Sequence, residues 1–111
     1  MALSIKKLQK TASQRTLLLN KQGTYKCKPE DFGFFGLALA GEVGETCNLL
    51  KKVLRGTKQL NLTTLDALAS ELADCQMYLV LLAASLNINL EEAVIVKFNE
   101  RSKDLGIDIT L

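Results

Sequence analysis

No histidine occurs anywhere in the 111 residues. That argues against zinc hydrolases and against di-iron bundles built on Glu-x-x-His, and it removes the commonest general base. Tryptophan is also absent and aromatic residues make up only 5%, so no aromatic cage or base-reading motif stands out. Cys27, Cys47 and Cys75 are an odd count without CxxC spacing. They read as reduced thiols of a cytoplasmic protein, with Cys47 and Cys75 as small core residues. A net charge of +2 is too small to point to nucleic acid or to an anionic membrane. The longest uninterrupted apolar run, Met77–Ala84, falls far short of the roughly 20 residues a membrane span needs. No charged-then-apolar stretch at the N-terminus resembles a signal peptide. The expectation is one cytoplasmic domain over residues 1–111 with a modest core and with neither a membrane nor a nucleic-acid partner.

What the chain does have is four carboxylates inside strongly apolar, helix-patterned segments: Glu42 with Glu45, and Glu71 with Asp74. A spacing of three leaves two side chains about 60° apart around a helix axis, so each pair shares a face. Surface acids usually have basic neighbours three or four positions away. Positions 38, 39, 41, 46, 48 and 49 hold no Lys or Arg, and neither do 67, 68, 70, 75, 77 and 78. Each acid instead has the other acid at its i±3 position. If the two helices pack together, four like charges crowd one small volume and repel unless a cation lies between them. A set of oxygen ligands prefers a hard cation, magnesium or alternatively manganese. The plainer reading is a pair of solvated helix faces.

The rest of the chain reads as helices joined by short breaks, an all-α architecture. Residues 3–18 have a moderate helical pattern, and residues 20–29 form a basic loop with Gly23 and Pro29. A second helix is expected from about 31 to 54, closed by Gly56, with Lys51, Lys52 and Arg55 near its negative end. Gly41 and Gly44 weaken it, and close approach of a helix or ligand is one reason to retain them. Thr63 with Asp66 resembles a capping box for a third helix reaching Ser85. Its stretch Met77–Ala84 is apolar on every side and must be covered on every side, which predicts a subunit interface there. Asn89 with Glu92 predicts the start of a fourth helix from Leu90 to about Asp104, closed by Gly106. The tail 107–111 alternates like an extended arm or a short strand.

Extending the two acidic faces by helical periodicity adds Asn48 and Lys52 beside Glu45, and Tyr78 beside Asp74. Such a set can hold a metal and a polyphosphate together. The run Gly36-Leu37-Ala38-Leu39-Ala40-Gly41-Glu42-Val43-Gly44-Glu45, then Asn48-Leu49-Leu50-Lys51-Lys52, resembles the MazG-like nucleotide pyrophosphohydrolases, with Leu39 before Ala40-Gly41 as a minor departure. So does Glu71-Leu72-Ala73-Asp74 with Tyr78, and so does the later Lys97-Phe98-Asn99-Glu100-Arg101. The resemblance covers about residues 31–106 and leaves the N-terminal region without a motif. Phosphoribosyl-ATP pyrophosphohydrolases share the acidic pairs but tend to carry histidine after the second one, and this chain has none.

The resemblance implies a four-helix-bundle-type all-α fold, assembled as a homodimer or tetramer, and small single-domain members of this kind are often phage-encoded. It implies magnesium-dependent hydrolysis of a nucleoside triphosphate to the monophosphate and pyrophosphate. The metal ligands it implies are Glu42, Glu45, Glu71 and Asp74, with Glu45 or Glu42 taking the proton of the attacking water. Positions that contact substrate map onto Lys51 or Lys52, Lys97, Asn99 and Arg101, with Asn48 and Tyr78 beside the acids. Each has a plainer reading. The dipole alone explains the lysines at the end of the second helix, Lys97 and Arg101 can pair with Glu100 and Asp104, and a tyrosine there is often core. The alternative to an enzyme is a helical interaction module or a nucleotide sensor. A degenerate module is expected to have lost one of the four acids, and none is missing.

Overall fold

The computed structural model describes residues 2–111, and among them every regular element is a helix. These are α1 (Ile5–Lys21), α2 (Phe32–Leu54), α3 (Leu62–Ser85) and α4 (Leu90–Asp104), so the all-α expectation holds. Local chemistry explains most of the boundaries. Ser4 caps α1 through the Lys7 amide, and Asn89 caps α4 by accepting from the Glu92 amide. Glu91 and Glu92 lie in the first turn of α4, with Arg101 and Lys103 in its last, which suits the dipole at both ends. Gly56 and Gly106 follow the last turns of α2 and α4 with φ of +78° and +67°. A side chain is strained in that left-handed region, which is why glycine stops both helices.

Two boundaries differ from the sequence expectation. The first helix continues to Lys21, into the stretch read as basic loop. The third helix is capped by Asn61 rather than by a Thr63 box: Asn61 accepts from the Thr64 amide at 3.0 Å, and Thr63 is already helical. Thr64 is buried at 1% exposure, with its hydroxyl bonded to the Gln59 carbonyl at 2.7 Å. The tail forms no strand; Leu111 is tied back to Asn99 through both the carbonyl and the amide of that side chain.

The helices pack unequally. α2 and α3 form a tight antiparallel hairpin, α1 lies on α3, and α4 lies on α1. The core gathers Ala12, Phe35, Val80 and Leu81, flanked by Ile5, Leu8, Leu82 and Leu90. Gln9 links α1 to the start of α4, donating to the Ile88 carbonyl at 2.7 Å. This arrangement corrects three expectations. The apolar stretch of α3 is covered mostly by the chain itself: Val80, Leu81 and Ala83 are buried, and only Leu79 is exposed. Cys47 is exposed rather than core. Nothing in the chain comes within 4 Å of a Cβ built on Gly41 or Gly44, so no helix of the same chain accounts for them.

Large apolar side chains are exposed elsewhere, among them Leu37, Val43 and Leu54 on α2 and Val94, Val96 and Phe98 on α4. The radius of gyration is 16.9 Å, against about 13 Å for a compact domain of this length. By length and composition the whole of α3 is apolar enough to cross a membrane, which its uninterrupted run did not suggest. Glu71 and Asp74 lie near its middle, where a bilayer penalises charge most, and its C-terminal half lies in the core of the chain.

Candidate metal centre and adjoining cavity

The antiparallel hairpin brings the two acidic pairs face to face. One oxygen each from Glu42, Glu45 and Glu71 lies within 4.8 Å of the others. α2 supplies the first two on consecutive turns and α3 supplies the third. Thr46 sits behind them, buried, its hydroxyl donating to the Glu42 carbonyl at 3.0 Å and lying 3.9 Å from the Cys75 sulfur. This contact brings α2 and α3 together at the level of the acids. Asp74 stands outside the group of three but near enough that its charge acts on Glu42.

No donor among the described residues reaches Glu42 Oε2 or Glu71 Oε2, although both are shielded from solvent. Their neighbours are other carboxylates, which can bond them only by keeping a proton. The titration follows from that. Glu71 is pushed up to about 7, first by hydrogen bonding to Glu45 and Glu42, then by loss of water and by repulsion from the same two charges. For Glu42 the hydrogen bond with Glu71 pulls downward, but desolvation and repulsion from Glu45 and Asp74 outweigh it and the net direction is up. Shielded acceptors with no protein donor, and raised carboxyls that share protons, are what a cation between them would relieve. The donor set is all oxygen, which suits a hard divalent ion.

The remaining predicted residues divide by location. Tyr78 is half-buried one turn beyond Asp74, its phenol pushed up by desolvation and by the charges of Glu42, Tyr25 and Asp74. Asn48, Lys51 and Lys52 continue along α2 and are exposed. Lys97, Asn99 and Arg101 lie on α4, whose main packing is on α1, with Leu90 at its start reaching the core. None of the three lines the cavity beside the acids, and the Asn99 amide holds the tail.

A cavity of about 640 Å³ opens beside the acids. Asp74, Met77 and Tyr78 of α3 form one wall, Arg15 of α1 and Tyr25 of the following loop another, and Phe34 and Phe35 of α2 close it. Sequence reasoning missed Arg15, Tyr25 and Phe34. They belong to three separate elements and share no periodicity, so only the fold assembles them.

The family model of the MazG nucleotide pyrophosphohydrolase domain matches residues 35–106. All four acids lie inside that segment, whereas Arg15, Tyr25 and Phe34 lie outside it. No curated protein and no solved structure matches the chain.

Proposed function

Because the chain belongs to the MazG nucleotide pyrophosphohydrolase family, we propose that it hydrolyses nucleoside triphosphates to the monophosphate and pyrophosphate with magnesium, manganese being the alternative ion. The observation that carries this reading is the convergence of Glu42, Glu45 and Glu71 within 4.8 Å, with two shielded oxygens that no donor reaches. Asp74 is the fourth member of the set, set toward the cavity.

A bound divalent ion supplies neutralisation of the polyphosphate charge and a more acidic water. The residues supply the rest. Glu42 and Glu71 present inward oxygens and release their shared protons when the ion binds. Glu45 is the member open to solvent, and takes the proton of the water that attacks the α-phosphorus. The bond from that phosphorus to the bridging oxygen breaks, and pyrophosphate leaves with the electron pair. Asn48, Lys51 and Lys52 flank the acids along α2, and lysine there offsets charge that develops on the leaving phosphates.

We also propose that the working form is a homo-oligomer. The exposed apolar faces of α2 and α4 and the open shape support it. A second copy laid over the hairpin is also the simplest way for Lys97, Asn99 and Arg101 of α4 to meet a triphosphate. Light scattering of the purified chain checks this; a monomeric mass at assay concentration rules it out.

The test of the activity is pyrophosphate release from a panel of ribo- and deoxynucleoside triphosphates, with magnesium and with chelator, for wild type and Glu45→Gln. Release that needs magnesium and vanishes in the variant is the expected result. Nucleotide binding without release of pyrophosphate overturns it in favour of a sensor.

A further inference from the structure

The acid cluster accounts for the phosphate end of a nucleotide and leaves its other end without a place. Asp74, one helical turn beyond Glu71, lines the cavity, so the cavity adjoins the acid cluster. About 640 Å³ is within the range of ligand pockets and ample for a nucleoside. Tyr25, Phe34 and Tyr78 are among its lining residues. Aromatic faces stack on any base, which gives affinity without choice.

Choice needs polar groups, and Arg15 stands out. Its guanidinium reaches the cavity wall, where its hydrogen bond is to the Met77 sulfur at 3.7 Å. A thioether is a weak acceptor. No carboxylate among the described residues pairs with it, and Asp31, which also lines the cavity, has an oxygen already accepting from the Lys28 amide at 2.7 Å. A guanidinium carries donors only. It is matched by a base edge that offers carbonyl oxygen, as guanine does with O6 and N7 and as thymine and uracil do with O4. It is mismatched by adenine, which places an amino donor at the equivalent position.

We propose that this cavity receives the base of the nucleotide and that Arg15 selects bases whose edge presents a carbonyl oxygen over adenine. The inference rests on the triphosphate reading of the acid cluster. Its selecting residue, Arg15, and the stacking residue Tyr25 both lie outside the segment 35–106 that the family model matches.

The experiment compares wild type, Arg15→Met and Tyr25→Ala. Arg15→Met keeps an unbranched, helix-compatible side chain at an exposed position and removes every donor. Calorimetry measures binding of dGMP, dTMP and dAMP, and pyrophosphate release is followed from the three corresponding triphosphates. Wild type is expected to favour dGMP and dTMP over dAMP by about tenfold, equivalent to ~1.4 kcal/mol. Arg15→Met abolishes that ratio, with the change in turnover carried by KM rather than kcat. Tyr25→Ala weakens all three ligands similarly and keeps their order. Turnover with the same base order in wild type and Arg15→Met overturns the subsite and leaves the hydrolase standing. Loss of the monophosphate preference in Arg15→Met, in a protein that releases no pyrophosphate, upholds the subsite and overturns the hydrolase.

Discussion

The two halves of α3 use the same kind of sequence for opposite purposes. From Met77 onward the helix packs under α1 and the start of α2, and Val80, Leu81 and Ala83 are buried. Before that point it meets α2 at the level of the acids, where Glu71 and Asp74 lie close to Glu42 and Cys75 lies close to Thr46. The second half lowers the free energy of the fold by removing apolar surface from water. The first half also buries Leu68 and Thr64, but its acids oppose that gain, since carboxylates shielded without donors are unfavourable. One rigid helix joins them, so the core of the second half holds the acids of the first in a geometry they would not adopt on their own. Conflict between local and global preference at such a place is expected of functional sites.

Neutralising one acid should have the largest effect and separates the halves most cleanly. Glu45→Gln should lower kcat by about 10²–10⁴-fold, the range for loss of a proton acceptor. The same change should raise the thermal midpoint of the metal-free protein, because one source of repulsion is gone. Circular dichroism melts in chelator, run beside the pyrophosphate assay, measure both. A variant that loses activity and also melts lower would mean that Glu45 supports the fold, and the contrast between the halves would fail.

Val80→Ala probes the other half. Val80 is completely buried, and removing its methyl groups should cost about 2 kcal/mol of stability. Urea titration should show a lower midpoint at unchanged slope. At temperatures where the variant is folded, kcat should stay within about twofold of wild type, since the acids lie on turns that do not contact the lost methyls. A large drop in kcat with folding intact would mean that core packing tunes the acids directly.

The same contrast explains what could be read in the sequence. Helix number and type were legible because caps and stops act locally, as Asn89 with Glu92 and Gly56 with Gly106 show. The acid constellation was legible because a spacing of three puts two side chains on one face wherever the helix ends up. What depends on how helices meet was not legible. The pattern around Met77–Ala84 announced that the stretch would be covered but not by what, and Ala12 of α1 and Phe35 of α2 in the same chain pack on it. Cys47 sits in an apolar pattern yet on the open side of α2, because one face of that helix has no neighbour in the chain. Arg15 and Tyr25 carry no signal until the loop after α1 folds back over α3.

A smaller effect follows from Glu71. Its carboxyl titrates near 7 when folded, against an ordinary value of 4.5. Between those values the folded protein holds a proton that the unfolded chain has released. Stability from this group is therefore complete below about pH 4.5, falls as pH rises toward 7, and is flat above. Glu42 shifts in the same direction and adds to the slope. In chelator, the wild-type midpoint minus that of Glu71→Gln should fall as pH rises from 5 to 8, with titrating groups outside the acid cluster cancelling in the difference. Magnesium should act oppositely, because an ion competes with protons for the same oxygens. Added at pH 8 it should raise the wild-type midpoint clearly, and at pH 5 far less. Equal gains at both pH values would place the ion on groups already ionised at pH 5 and remove Glu71 from the set that binds it.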